Sequence, residues 1–227
     1  GDGETDDTKA IQEAIDKYDN IYVPQGWYRI TETLKMKPDT KLIGLHPFGT
    51  QFRLDESTAA FSGFGGPKAM VESSEGGANM LVGIGINTGG YNYRAVGVKW
   101  MANADSYMND VKFVGGHGGL WKPKPGVEEP RGRWNRPARI SSPDNPVAAS
   151  GMDLAWDNQY WSLWVTNNGG GTFKDIWTAS TYATNGFYAN NTSTPGRIYA
   201  MSIEHHVRNE VRFNKVSNWK VYCMQTE

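Results

Sequence analysis

The amino-acid sequence predicts an all-β chain folded as a right-handed parallel β-helix, a solenoid of stacked coils, with a short capping α-helix at its N terminus. Three observations favour this fold. Apolar residues follow a helical spacing in one segment only, at the beginning of the chain. Elsewhere short apolar runs alternate with turn residues, among them many of the 27 glycines. Trp164, Phe187 and Val211 lie 23 and 24 residues apart, and a period of roughly 20 residues or more is typical of solenoids.

Residues 1–20 are predicted to form the capping segment. The sequence TDDT at positions 5–8 offers side chains that can cap a helix, and apolar residues then recur one helical turn apart: Ala10, Ile11, Ala14 and Ile15. Asp6 and Asp7 could be read in isolation as a catalytic pair of carboxylates. Their position at the start of a helix favours a capping role instead, because the helix macrodipole stabilises acidic groups there.

Short strands separated by Gly, Asn and Pro are predicted along the remainder of the chain. They lie at 21–30 (broken by a corner at Pro24 to Gly26), 40–44, 80–87, 95–101, 110–115, 163–166, 173–178, 186–189, 198–204, 211–216 and 219–224.

The length of 227 residues suits one large domain with a sizeable core. We therefore expect a single β-helix domain over 1–227. The chain begins at Gly1 without an initiator Met and stops abruptly at Glu227, so we expect it to be truncated at both ends relative to a longer precursor.

Residues 122–145 interrupt the strand pattern with several prolines and six basic side chains around Trp134. A loop of this length in a compact domain is usually functional or disordered. Two interpretations remain open: the loop grips an anionic glycan or a phosphate, or it is a solvated excursion over one face.

The composition excludes several classes of function. The formal net charge is −1, so no overall field attracts nucleic acid or an anionic membrane. No apolar run reaches 18 residues, so no membrane span is predicted. Cys223 is the single cysteine, which excludes an internal disulfide and a cysteine-based zinc site.

The N-terminal region resembles a known superfamily. The segments GDGETDDTKAIQEAID, IYVPQGWYRI and KLIGL, within about the first 45 residues, are similar to the first coils of the pectate-lyase-like β-helix superfamily. The resemblance implies that the helix covers the unpaired edge of the first coil. It implies a fold rather than a chemistry, because lyases, hydrolases, epimerases and phage tailspikes share this segment.

Two short motifs resemble glycoside hydrolase family 55. They are EHH at 204–206 and QTE at 225–227, in the order found in the second domain of that family. The family contains exo-acting β-1,3-glucanases built from two β-helix domains, with the active site between them. The resemblance implies a polysaccharide or oligosaccharide substrate, a second β-helix domain outside this chain, and a secreted, periplasmic or cell-surface location. It implies no cofactor.

Glu204 and Glu227 are the candidate catalytic residues. They are 23 residues apart, about one coil, which would place them on adjacent rungs roughly 5 Å apart at the backbone. Two carboxylates stacked in this way repel each other, which would raise one pKa toward the value that a general acid needs. Glycoside hydrolysis uses such a pair. The other interpretation of Glu204 is an inward-facing or surface residue paired with a nearby arginine: Arg197, Arg208 or Arg212.

The resemblance assigns the roles within this pair. It implies that Glu227 is the general acid, that Glu204 belongs to the network holding the attacking water, and that the anomeric carbon is inverted. The spacing of the two residues does not order these roles.

Several further residues are candidates for substrate binding. His205 could orient the substrate or Glu227, and Gln225 could bind sugar hydroxyls or the water. A third set, flanked by other aromatic residues, could form a sugar platform or instead line an inner coil: Trp156, Asp157, Gln159 and Trp161. No metal site is predicted at His205 and His206, because adjacent residues on a strand point to opposite faces.

Two alternatives to a hydrolase remain open. One is a polysaccharide lyase or epimerase acting on uronic acids, which would use Lys or Arg to neutralise the substrate carboxylate. The other is a non-catalytic glycan-binding or tailspike-like β-helix module.

Overall fold

The computed structural model describes residues 1–114, 159–179, 183–206 and 208–227. Over these ranges the chain is a parallel β-solenoid of about seven turns with a single short helix. The first elements are β1 (Asp2–Asp6), α1 (Thr8–Lys17), β2 (Asn20–Val23), β3 (Gly26–Arg29), β4 (Leu34–Lys35), β5 (Lys41–Gly44), β6 (Thr50–Arg53), β7 (Lys68–Glu72), β8 (Met80–Val82) and β9 (Gly85–Asn87). The later elements are β10 (Ala95–Trp100), β11 (Tyr107–Val114), β12 (Gln159–Val165), β13 (Gly171–Ala179), β14 (Ala183–Thr192), β15 (Gly196–Ile203), β16 (Asn209–Val216), β17 (Trp219–Val221) and β18 (Met224–Thr226).

The strands form two parallel sheets. Sheet A has 12 strands along the path β1-β3-β6-β9-β11-β13-β15-β17, with β2, β5, β8 and β18 paired beside it. Sheet B has six strands in the order β16-β14-β12-β10-β7-β4. The chain crosses from one sheet to the other in every coil, so residues one coil apart become neighbours on adjacent rungs.

A column of left-handed residues bends sheet A. Asp110, Asp175 and Ala200 have φ of 49°, 50° and 55°, and Gly83 has φ of 65° between β8 and β9. These residues fall at breaks in the strand register. The break covers one position between β11, β13 and β15, and two positions where β8 and β9 pair with β11. The bend divides sheet A into a first limb before the column and a second limb after it.

The core between the sheets contains a ladder of aromatic rings. Phe173 contacts Trp100 at 6.1 Å and Phe187 at 6.1 Å between ring centroids, and it stacks on Trp219 at 5.6 Å. Phe173 and Phe187 are fully buried. Aromatic pairs of this kind add about 0.5–1.5 kcal/mol each beyond the burial of their area.

The N terminus is fastened to the first coils by α1 and by a buried arginine. Ile15 packs into the core from α1. Arg53 is buried, donates to the carbonyl of Gly3 at 2.7 Å, and pairs with Asp55. Asp55 also accepts from Arg29 at 2.6 Å. Burial lowers the pKa of Arg53 to about 10, against the opposing effect of Asp55.

The structure confirms the predicted fold class and the predicted helix. Of the two aspartates predicted to cap the helix, Asp6 accepts through its Oδ1 from the backbone N–H of Thr8 at 3.0 Å. Asp7 is the N-cap residue, but its side chain makes no capping hydrogen bond, so the prediction was wrong for that side chain. One column was assigned wrongly: Leu163, not Trp164, pairs with Phe187, and Trp164 pairs with Tyr188.

The predicted strands are present, though several are longer than predicted. The sequence pattern missed β1, β4, β6 and β7, which are short or lie beside glycine-rich turns. The basic loop at 122–145 lies outside the described residues. Among the helices of the described ranges, none has the length and apolar character that a membrane crossing requires.

Candidate functional site

Glu204 follows directly after β15 and is held by two donors. The indole Nε1 of Trp177 lies 2.9 Å from Glu204 Oε1, and the Ser202 hydroxyl lies 2.7 Å from the same oxygen. The backbone N–H of Glu204 donates to Thr178 Oγ1 at 2.9 Å. No arginine pairs with Glu204 in the part of the chain that the structure describes, so the side chain is oriented by neutral donors. Its Oε2 is the oxygen left to meet a water or a substrate.

Glu227 lies on the next rung above Glu204. The backbone N–H of His205 donates to the carbonyl of Glu227 at 3.2 Å, and the N–H of Glu227 donates to the carbonyl of Ile203 at 3.3 Å. Glu227 is exposed, and across the described ranges its carboxylate makes no hydrogen bond or ion pair. The structure therefore brings the two predicted carboxylate residues to neighbouring backbone positions.

Gln225 connects the two rungs. Its Oε1 lies 3.2 Å from the Ser202 hydroxyl, which also contacts Glu204 Oε1. Because a serine hydroxyl carries one proton, it can donate to only one of these two oxygens at a time. Ser202 thus links the predicted residues Glu204 and Gln225 in one hydrogen-bonded network.

The same outer face continues toward the N terminus of the solenoid. Lys112, Trp177, Ser202 and Gln225 are successive register partners along the second limb. The Lys112 ammonium lies 5.9 Å from the centre of the Trp177 ring. It also lies 3.3 Å from the carbonyl oxygen of Asp175 and 3.5 Å from the carboxylate of Asp110. The column therefore places a cation two rungs from Ser202.

A loop from an early coil forms one wall of this face. Residues 45–49 connect β5 to β6, and a Cβ on Gly85 would meet the carbonyl of Pro47 at 2.1 Å. Gly85 therefore lets the loop lie against the strand surface. Phe48, 47% exposed, reaches the edge of Trp177 at 5.9 Å between ring centroids. An exposed aromatic side chain thus stands beside the residue that orients Glu204.

The two adjacent histidines lie in different surroundings. His205 is exposed with a left-handed φ of 61°, whereas the side chain of His206 is fully buried. Within the ranges described by the structure, no group of three or more His, Cys, Asp or Glu side chains is placed to hold a metal ion.

Inside the solenoid, His206 lies between a hydroxyl and a carboxylate. Ser162 Oγ is 3.1 Å from His206 Nε2, and Glu210 Oε2 is 2.7 Å from His206 Nδ1. The order of groups resembles that of a serine hydrolase. Ser162 is only 4% exposed, so this arrangement is a buried structural network rather than a site that substrate can reach. Burial lowers the pKa of His206, and the hydrogen bond to Glu210 opposes that shift.

The structure does not place the residues of the predicted sugar platform beside Glu204. Gln159 and Trp161 belong to β12 in sheet B, on another side of the solenoid. Gln159 is buried, and its amide group bonds to Thr88 and to the carbonyl of Gly89. Trp161 packs against Trp164 at 4.6 Å between ring centroids. The predicted residues Trp156 and Asp157 lie outside the described ranges.

Sequence reasoning missed Trp177, Ser202, Lys112 and Phe48. The first two could have been found from coil spacing, because Trp177, Ser202 and Gln225 are 25 and 23 residues apart. Lys112 is 65 residues before Trp177. This interval is much longer than one coil, so the spacing does not indicate that the two residues share a column. Phe48 reaches the site from a loop, and no strand pattern indicates that contact.

Comparison with known proteins identifies a family for this chain. A search of the curated proteins gave no match to the sequence. Among solved structures, the pre-mature gene product 12 of bacteriophage phi29 is similar over 100% of this chain and 32% of its own, with 15% identity and a TM-score of 0.34. The chain thus spans about a third of that protein's length. The family model for rhamnogalacturonase A/epimerase, pectate lyase-like, matches residues 1–221. The chain is a member of this pectate-lyase-like rhamnogalacturonase A/epimerase family.

Proposed function

We propose that the protein is a carbohydrate-active enzyme that hydrolyses a glycosidic bond at Glu204 and Glu227. The observation that carries this proposal is the position of Glu204. Two neutral donors orient one of its carboxylate oxygens, and a second glutamate lies on the adjacent rung. A pair of carboxyl groups facing one substrate is what most glycosidases use.

In the proposed reaction, Glu227 donates its proton to the glycosidic oxygen as the bond to the anomeric carbon breaks. A water held by Glu204 Oε2 attacks that carbon, and Glu204 receives the proton that the water loses. Gln225 and His205, on the same two rungs, bind hydroxyls of the sugar. The donors on Glu204 Oε1 keep the carboxylate in one orientation throughout.

The resemblance of EHH and QTE to glycoside hydrolase family 55 supports two finer parts of the proposal. These are a β-1,3-glucan as substrate and inversion at the anomeric carbon. The same resemblance supports a location outside the cytoplasm, where polysaccharides are found.

A glycan panel tests the proposal. The 227-residue chain is incubated with laminarin, other neutral β-glucans, polygalacturonate and rhamnogalacturonan, and reducing ends are followed beside ultraviolet absorbance. We expect new reducing ends without absorbance. In Glu227→Gln and Glu204→Gln the rate should fall at least about a thousandfold, because each loses a proton-transfer group.

A matched control separates chemistry from folding. Glu210→Gln changes a carboxylate that contacts the buried His206 rather than the outer face. It should alter thermal stability but leave the turnover number within about twofold of the unchanged protein. Equal rates for Glu204→Gln and the unchanged chain would overturn the assignment of the site.

One observation favours a second candidate, a lyase or epimerase that acts on a uronate. Lys112 lies in the same outward column as Trp177 and Ser202, where its ammonium could neutralise a sugar carboxylate. In that case products absorb in the ultraviolet or change stereochemistry at C5. Lys112→Gln would then abolish turnover of uronates, whereas under the hydrolase proposal the same variant would retain hydrolysis of a neutral glucan.

A further inference from the structure

The outer face of the first limb of sheet A carries a small group of basic and tyrosine side chains on the last coils. We call it the basic–tyrosine patch and define it by five residues: Lys174, Arg197, Tyr199, Lys220 and Tyr222. Arg197 and Lys220 are direct register partners in β15 and β17, so their backbones lie about 4.8 Å apart. Lys174 and Tyr199 are register partners in β13 and β15.

Within the described residues, no acidic side chain neutralises the two cations at the centre of the patch. Both Arg197 and Lys220 are exposed, and along the described chain neither makes a hydrogen bond or an ion pair. Lys174 has an acidic partner, Asp175, at 3.3 Å. Like charges directly opposite each other on neighbouring strands destabilise a sheet. A chain with a net charge of −1 nevertheless concentrates two unpaired positive charges here.

The tyrosines add a polar and aromatic surface beside these cations. Tyr199 and Tyr222 are stacked with ring centroids 4.6 Å apart and planes 2° apart. They remain 36% and 57% exposed. A rigid pair of phenol rings offers hydroxyl groups for hydrogen bonds and, on the sides not stacked against each other, ring faces for the C–H groups of a sugar.

We propose that the basic–tyrosine patch is a binding site for an anionic glycan, with Arg197 and Lys220 holding one carboxylate or sulfate group between them and the tyrosines contacting the sugar that bears it. The spacing of one rung suits a single small anion, which both side chains reach as charge-assisted donors. Duplex nucleic acid would require a longer stripe of cations.

This binding site is distinct from the proposed catalytic site. It precedes the left-handed residue Ala200, whereas Glu204 follows it, so the two surfaces lie on different limbs of sheet A. Binding at the patch therefore does not require turnover, and it can be measured in a variant that lacks Glu227.

Calorimetric titration of the full 227-residue Glu227→Gln chain tests the proposal with three probes. They are trigalacturonate, its fully methyl-esterified form, and a sulfated gluco-oligosaccharide of similar length. We expect at least one anionic probe to bind at least about tenfold more tightly than the uncharged ester. Binding of the carboxylate probe alone, or of the sulfated probe alone, identifies which anion the patch selects.

Substitutions then assign the binding to the patch. The double change Arg197→Gln and Lys220→Gln should weaken anion binding at least about tenfold and remove most of its salt dependence. Its melting temperature should stay equal or rise, since a repulsive pair is removed. Lys9→Gln with Lys17→Gln, the same charge change on α1, should leave affinity unchanged.

Two substitutions of Tyr222 separate the contribution of the ring to binding from that of the hydroxyl group. Tyr222→Phe keeps the stacked ring, whereas Tyr222→Ala removes it, and we expect the alanine variant to lose more affinity. Equal affinity for trigalacturonate, its ester and the sulfated probe would overturn the proposal. So would binding that survives the double change, or an absence of binding to all three probes.

Discussion

The indole N–H of Trp177 and the carboxylate of Glu204 are joined across one rung of sheet A by a hydrogen bond of 2.9 Å. This bond ties the orientation of a candidate catalytic residue to the stacking of coils. The two residues are 27 positions apart in the sequence, and only the parallel register makes them neighbours.

Replacing Trp177 by Phe should slow the proposed reaction without unfolding the protein. The substitution removes the donor to Glu204 Oε1 but keeps an aromatic ring beside Phe48. A hydrogen bond to a charged group contributes about 1.5–3 kcal/mol, so kcat/KM should fall about 10- to 150-fold. Trp164→Phe is the matched control, since Trp164 donates to Asn190 on sheet B. A similar loss in both variants would contradict a specific role for Trp177.

Replacing Phe48 by Ala should weaken substrate binding more than it slows chemistry. Phe48 lies edge-to-face against Trp177 but is not one of the donors that orient Glu204, so KM should rise about 5- to 20-fold with a small change in kcat. Initial rates over a range of glycan concentrations give both constants. Phe64→Ala changes a fully exposed aromatic in another loop and should leave both constants unchanged. An unaltered KM in Phe48→Ala would remove this residue from the binding surface.

Replacing Ala200 by Gly should stabilise the protein. Ala200 is exposed and has φ of 55°, a left-handed conformation that costs a residue with a Cβ about 1–2 kcal/mol. Glycine does not have this cost, but it loses more conformational entropy on folding, which offsets part of the benefit. We therefore expect about 0.5–1 kcal/mol of added stability. Urea unfolding measures it. Ala10→Gly, in the exposed face of α1, should have the opposite sign at about 1 kcal/mol, and a loss of stability at both positions would refute the strain argument.

The buried His206 should make the protein less stable in mild acid. Burial lowers its pKa in the folded state below the value of about 6.5 found in unfolded chains, so the unfolded state binds more protons between the two values. The contribution of His206 is therefore fully present above about pH 6.5 and is lost as the pH falls toward its folded pKa. The charged or titratable groups that act on it are Glu210 and His205.

Free energies of unfolding measured between pH 5 and pH 8 give the slope that His206 contributes. In His206→Gln that slope should be smaller over the same interval, whatever the absolute stability of the variant. A slope that is identical with and without the imidazole would show that other groups cause the acid sensitivity.

The general architecture was accessible from the sequence because the helical spacing near the N terminus is clear and the recurrence of short strands suggests a coil period. The helical spacing that ends near Ile15 and the recurrence of strands at about one coil both survive in the structure. Glu204 and Glu227 also fall on adjacent rungs, as their spacing predicts. These features depend on local pattern and on chain length alone.

The remaining site residues depend on contacts between coils of unequal length. Trp164 was placed one position out of register, since a spacing of 23 residues does not reveal which coil contains an extra residue. Ser162 and His206 meet inside the solenoid although 44 residues separate them. The bend at Ala200 carries no sequence signal, because alanine has no preference for a left-handed conformation.

The outward column of Lys112, Trp177, Ser202 and Gln225 takes one residue from each of four coils. The side chains that form this surface therefore come from separate parts of the sequence. Deleting the coil that contains Ser202 would let the neighbouring strands pair again. Trp177 would then face Gln225, and Glu227 would take the register position that Glu204 now holds, so only one of the two carboxylates would be left. Solenoids of this kind can change their number of repeats and still fold. Lineages that gain or lose a coil in this region should keep the scaffold and exchange one activity for another in a single genetic event.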